Sequence, residues 1–128
     1  SWMQQFSPVA ARIMLVCTVV MFVPGVVHHV FCGTVEWFYI RLGRTEEARQ
    51  VILEFFKKTM STMLACFVGF LVFSVVLLVM VAMGLTALPR WACLLNLLVL
   101  FAVMAPFRIV GTLNIAGALM LAGLCILL

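Results

Sequence analysis

Long apolar stretches broken by a single polar region set the pattern of this chain. Residues 9–31, 62–85, 88–105 and 107–128 form four runs, each long enough to cross a hydrocarbon core, which takes about 20 helical residues at about 1.5 Å each. Strict alternation of apolar and polar positions is absent, so the pattern does not predict a transmembrane barrel. The expected fold is an all-α integral membrane protein, one domain over residues 1–128 with four transmembrane helices plus one interfacial amphipathic helix.

The polar region reads EWFYIRLGRTEEARQVILEFFKKTM from Glu36 to Met60. Trp37, Phe38 and Tyr39 beside Glu36 and Arg41 match an aromatic belt where a helix leaves a membrane. Gly43 then breaks the chain. Thr45 is placed to cap a helix over residues 45–60, with Glu46 and Glu47 in its first turn and Lys57 and Lys58 at the other end, as the helix dipole favours. Ala48, Val51, Ile52, Phe55 and Phe56 share one face, and Glu54 stands four residues before Lys58. This helix is expected to lie in the interface, with continuation into the second span as an open alternative.

The last two runs meet at MAPFR, where Pro106 lacks a backbone donor and Arg108 reaches for headgroups, giving a tight helical hairpin. The third run opens with LPRW: Pro89 suits a first turn, and Arg90 and Trp91 suit an interface.

Composition agrees with the pattern. Hydrophobic residues make up 67% of the 128 and charged residues 9%, with a mean hydropathy of +1.33, against roughly a quarter charged in a typical soluble domain. The net charge of +4 is local, since five of the eight cations lie between Arg41 and Lys58. A nucleic-acid surface needs a far larger basic face, so the expected partners are membrane lipid and other membrane-protein chains, with no nucleic acid. The positive-inside rule places residues 41–58 in the cytoplasm and both termini outside. Residues 9–31 are too long for the core of a signal peptide.

The stretch HHVFCGTVE, from His28 to Glu36, holds both histidines of the chain. Four-residue spacing puts His28, Cys32 and Glu36 on one helical face, which allows a ligand cluster or a proton path. A structural zinc takes four ligands and a catalytic one three plus water, and no further histidine exists to complete either set. No metal and no cofactor is expected. His28, His29 and Glu36 are candidates for a ligand or proton path, set against the simpler reading of neutral histidines near headgroups. Pro24 and Gly25, one turn earlier, mark a possible hinge. The five cysteines are scattered through apolar runs and form neither a disulfide framework nor a CxxC pair.

Asn96 and Asn114 lie about 15 and about 12 Å from the turn at Pro106, counting about 1.5 Å per residue. Similar depth lets the two meet as an interhelical hydrogen bond, which would make Asn96→Leu and Asn114→Leu non-additive. Small residues recur every fourth position at Ser61, Ala65 and Gly69, and again at Asn114, Ala118 and Ala122, marking helix-packing faces.

The segments LTALPRWACLLNLLVLF and GTLNIAGALMLAGL resemble the C-terminal hairpin of small uncharacterised prokaryotic multi-pass membrane proteins. Pro89, Arg90, Trp91, Asn96 and Asn114 carry the resemblance, which covers about a third of the chain, implies the helical membrane fold and brings no activity.

No P-loop, GxSxG or dinucleotide fingerprint is present. With no Asp, and every Glu between Glu36 and Glu54, catalytic carboxylate pairs have little material. The sequence favours a structural or accessory subunit over an enzyme. A small oligomeric transporter or pore, lined by His28, His29, Glu36 and the two asparagines, is the alternative.

Overall fold

The computed structural model describes residues 7–109 and 111–127, and every regular element among them is helical. Helix α1 runs from Pro8 to Arg41. Ser7 Oγ accepts from the Ala10 amide at 3.2 Å, and Pro8 stands at the position where a missing donor costs nothing. The first apolar run closes at residue 31, but the helix continues beyond it. Nothing between Val26 and Leu42 breaks a helix except Gly33, which an α-helix tolerates, so the aromatic belt is part of α1. Termination comes at Gly43, whose φ of 72° only glycine adopts freely. Its amide bonds Ile40 O at 3.1 Å and the Arg44 amide bonds Tyr39 O at 3.0 Å, a Schellman ending.

Helix α2 runs from Glu46 to Ala82. Thr45 Oγ1 accepts from the Ala48 amide at 3.2 Å and starts it. The amphipathic segment and the second apolar run are therefore one helix, because no glycine or proline separates Lys58 from Thr62. It ends as α1 does, with Gly84 at φ 73°, its amide on Val81 O and the Leu85 amide on Met80 O.

The third run is not one helix. A 3-10 segment, Arg90–Leu95, leads to Asn96 in extended backbone, and α3 spans only Leu97–Met104. A further 3-10 turn, Ala105–Phe107, and Arg108 at φ 52° precede α4, Thr112–Leu127. Val110 and Leu128, at the edges of the fourth expected span, lie outside the described residues. The eight residues of α3 extend about 12 Å and the sixteen of α4 about 24 Å, both short of a core about 30 Å thick. Among the described residues, α1 and α2 are the two helices long and apolar enough to cross a membrane.

The chain divides into two compact units. One comprises residues up to Leu15 together with Leu71 onward. In it Ala10 and Met80 pack with Ala11, Met14 and Val76, while Leu77, Val81, Leu97, Ala116 and Met120 are buried around α3 and α4. The other, Val16–Phe70, is the α1–α2 helix pair. Here Gly69 sits against the backbone of α1: an added Cβ would stand 3.1 Å from Cys17 O and 3.2 Å from Met21 N. Gly25 faces Cys66 as closely, with 3.1 Å from that Cβ position to Sγ.

Candidate functional site

The histidine segment lies on α1 within the second unit. Of its ionisable members His28 contacts α2, with Nδ1 3.4 Å from Thr62 Oγ1 and the ring centroid 6.4 Å from that of Phe56. Thr62 donates its one hydroxyl proton to Thr59 O at 2.7 Å. His29 and Glu36 are exposed and Cys32 is half-buried. Among the described residues no three His, Cys, Asp or Glu side chains gather into a group able to hold a metal ion.

One turn on, Phe31 meets Phe55 edge to face at 5.6 Å. Lys57 and Lys58 therefore stand at the level of α1 between His28 and Phe31. Beyond that level, toward the turn, the two helices part and leave a cleft of about 470 Å³. Val35 and Phe38 line it from α1, Leu42 and Thr45 from the turn, and Glu47, Ala48, Val51, Ile52 and Phe55 from α2. Of the α2 members, all but Glu47 fall on the apolar face legible in the sequence. The α1 members are not singled out in the sequence, where Phe38 reads only as part of an aromatic belt.

The charges around the cleft fall into two groups. Arg49 forks onto Glu46, at 2.8 Å through Nε and 2.7 Å through Nη2. That fork, helped by Gln50, holds the Glu46 carboxyl down to about 2 and raises Arg49. Lys58 pairs with Glu54 at 3.0 Å. Arg41 instead lies over the Trp37 ring at 5.7 Å. Arg44, Lys57, Glu36 and Glu47 join no ion pair among the described residues.

In the first unit the asparagines do not meet. Asn96 donates its amide to Ser74 O at 2.8 Å and its Oδ1 accepts from the Leu98 amide at 3.0 Å, capping α3. Asn114 is exposed on α4. The Leu97 amide points at Met120 Sδ, 3.3 Å away, and Ser74 Oγ is buried without a hydrogen-bond partner. The expected α4 face is likewise the outer one: Ala118 and Ala122 are exposed, whereas Thr112, Ala116, Gly117 and Met120 are buried. Thr112, Ala116 and Met120 repeat every fourth residue, two positions and so about 200° away from the Asn114 face. On the second span Gly69 is buried, Ala65 half-buried and Ser61 exposed.

A family model described as "Family of unknown function (DUF6796)" matches residues 1–126. The chain belongs to that family. No curated protein and no solved structure matches it. Membership in DUF6796 therefore carries a shared sequence pattern over almost the whole chain and no reaction.

Proposed function

We propose that this protein is a multi-pass integral membrane subunit with a structural or accessory role, packing against lipid and other membrane helices. The observation that carries the reading is the bareness of its longest helices. Only 17% of the most apolar stretch of α1 and 28% of that of α2 is buried by the rest of the chain. A core helix of a water-soluble protein is covered by its own fold; these need a non-aqueous solvent or a partner. Between Arg12 and Glu36, and between Lys58 and the end of α2, no charge occurs, as a hydrocarbon core requires. In this reading α1 and α2 cross, and α3 and α4 enter the bilayer as a short hairpin whose irregular backbone at Asn96 is shielded by protein. Residues 41–58 face the cytoplasm, following the positive-inside bias.

A transport role finds less support. His29, Glu36 and Asn114 are exposed singly, and Asn96 spends its hydrogen bonds on Ser74 and Leu98. Native mass spectrometry of the protein extracted in mild detergent tests the proposal. Recovery in a heteromeric assembly of fixed stoichiometry is the expected result; a homo-oligomer that conducts ions or solute when reconstituted would overturn it.

A further inference from the structure

We infer that the third apolar run is a conformational switch: Asn96 pins it in the broken form described above, and release of that pin lets residues 90–104 close into one continuous α-helix. The device is independent of the membrane reading, since it lies wholly within the first unit.

Local sequence favours the continuous form. From Arg90 to Ala105 there is neither glycine nor proline, and the strong helix formers arginine, alanine, leucine and methionine make up most of the segment. Asn96 alone among these residues prefers a cap or turn to a helix interior, because its side chain competes for backbone hydrogen bonds.

The broken form departs from that preference at a cost. Arg90–Leu95 is a 3-10 segment of six residues, where runs beyond three or four are uncommon and the hydrogen bonds poorly aligned. The Asn96 amide still follows that tighter pattern, bonding Cys93 O at 3.1 Å. The Leu97 amide faces a thioether, Met120 Sδ, which is a weak acceptor. Ser74, whose carbonyl takes the Asn96 side chain, keeps its own Oγ buried without a hydrogen bond. A cavity of about 10 Å³, lined by Cys93, Leu95, Asn96 and Met120 among others, leaves slack at the same place.

One side chain holds the break against these costs. At φ −68° and ψ 142°, Asn96 brings its Oδ1 to the Leu98 amide at 3.0 Å and its Nδ2 to Ser74 O at 2.8 Å. Helical backbone at Asn96 gives up the first bond and leaves no amide without an acceptor, because those of Leu97, Leu98 and Val99 then reach the carbonyls of Cys93, Leu94 and Leu95. Ser74 belongs to α2, so the place of α2 beside the third run decides which form is held. A partner or ligand that draws Ser74 away from Asn96 lengthens the helix.

Solution NMR of the full chain in detergent micelles tests the switch, read by carbon-13 Cα shifts and amide exchange over residues 93–100. In the wild type the Cα secondary shift at Asn96 is expected to be negative, as extended backbone gives. In Asn96→Leu it is expected to turn positive, with the amides of residues 97 and 98 still protected. Met120→Leu keeps the Asn96 pin and removes only the sulfur acceptor; it is expected to sample both forms, seen as millisecond exchange broadening confined to residues 93–99. A negative shift retained at position 96 in Asn96→Leu would overturn the inference, because the surrounding packing and not the pin would then set the break. Where Asn96→Leu does not fold, Met120→Leu decides: broadening supports the switch, and sharp, unshifted signals overturn it in favour of a break that the fold makes permanent.

Discussion

Asn96 reaches across the first unit to donate its side-chain amide to the carbonyl of Ser74, 2.8 Å away, while its oxygen caps α3. One buried side chain thus ties α2 to the break in the third apolar run. Removing it leaves the Leu98 amide without its acceptor and Ser74 O without the cross-helix donor.

Asn96→Leu is expected to destabilise the fold by about 1–3 kcal/mol, the range for losing a buried hydrogen bond and a helix cap. Asn114→Leu, at an exposed position, is expected within about 0.5 kcal/mol of neutral. Their effects add in a double-mutant cycle, because the two amides share no partner. Denaturant unfolding in detergent micelles measures all three, and a coupling above about 0.5 kcal/mol would contradict the pairing described here.

Gly69 is expected to resist a large side chain. Its Cβ position is blocked by backbone atoms of α1 at 3.1 and 3.2 Å, which can move only by separating the helices. Gly69→Leu should cost about 1–3 kcal/mol by overpacking. Gly25→Ala meets a cysteine side chain instead, which can rotate, so its cost is smaller. Gly33→Ala, with open space around it, should stabilise α1 by roughly 0.5–1 kcal/mol. Thermal unfolding followed by circular dichroism ranks the three, and a neutral Gly69→Leu would mean that the helices do not pack there.

The outer and inner faces of α4 should separate by function. Ala116 is wholly buried, so Ala116→Leu is expected to disrupt the fold by about 1–3 kcal/mol. Ala118→Leu with Ala122→Leu, on the exposed face, should leave the isolated chain's stability unchanged and weaken its association with partner helices. Unfolding and native mass spectrometry on the same samples distinguish the two. Loss of folding in the Ala118, Ala122 double variant would place that face inside the protein.

Glu46 should titrate near 2 because the Arg49 and Gln50 side chains hydrogen-bond its ionised form. The sign follows from linkage: a carboxyl lowered on folding stabilises the folded state above its unfolded value near 4.5, and that contribution fades as pH falls toward 2. Carbon-13 NMR of the Glu side chains is the measurement. Arg49→Met is expected to return Glu46 to the ordinary carboxylate range, and an unchanged titration in that variant would count against the fork.

Helix starts and stops were the legible part of the fold. Thr45 and Gly43 carry their own chemistry, a hydroxyl acceptor and a freely left-handed backbone, so they act as expected wherever the rest of the chain goes. The third span misled for the opposite reason. Residues 88–105 look continuous because leucine and valine flank Asn96, and the break there depends on Ser74 and Met120, which are distant in sequence. The α4 face misled because Asn114, Ala118, Ala122 and Thr112, Ala116, Met120 have the same spacing; only packing decides which turns inward. At the histidine segment the shared face of His28, Cys32 and Glu36 was readable, but the partner Thr62 was not. A threonine in an apolar run usually bonds its own helix, as Thr59 does to Phe55 O.

The brevity of α3 has a consequence for biogenesis. Eight apolar residues are too few for an insertion machinery that recognises segments of about 20, so α3 has no independent route into a bilayer. On the membrane reading proposed above, its polar backbone is met by protein instead: Ser74 O accepts from Asn96, and Met120 Sδ faces the Leu97 amide. By the same measure the sixteen residues of α4 also fall short, so on the membrane reading α3 and α4 enter together, as one hairpin held against α2.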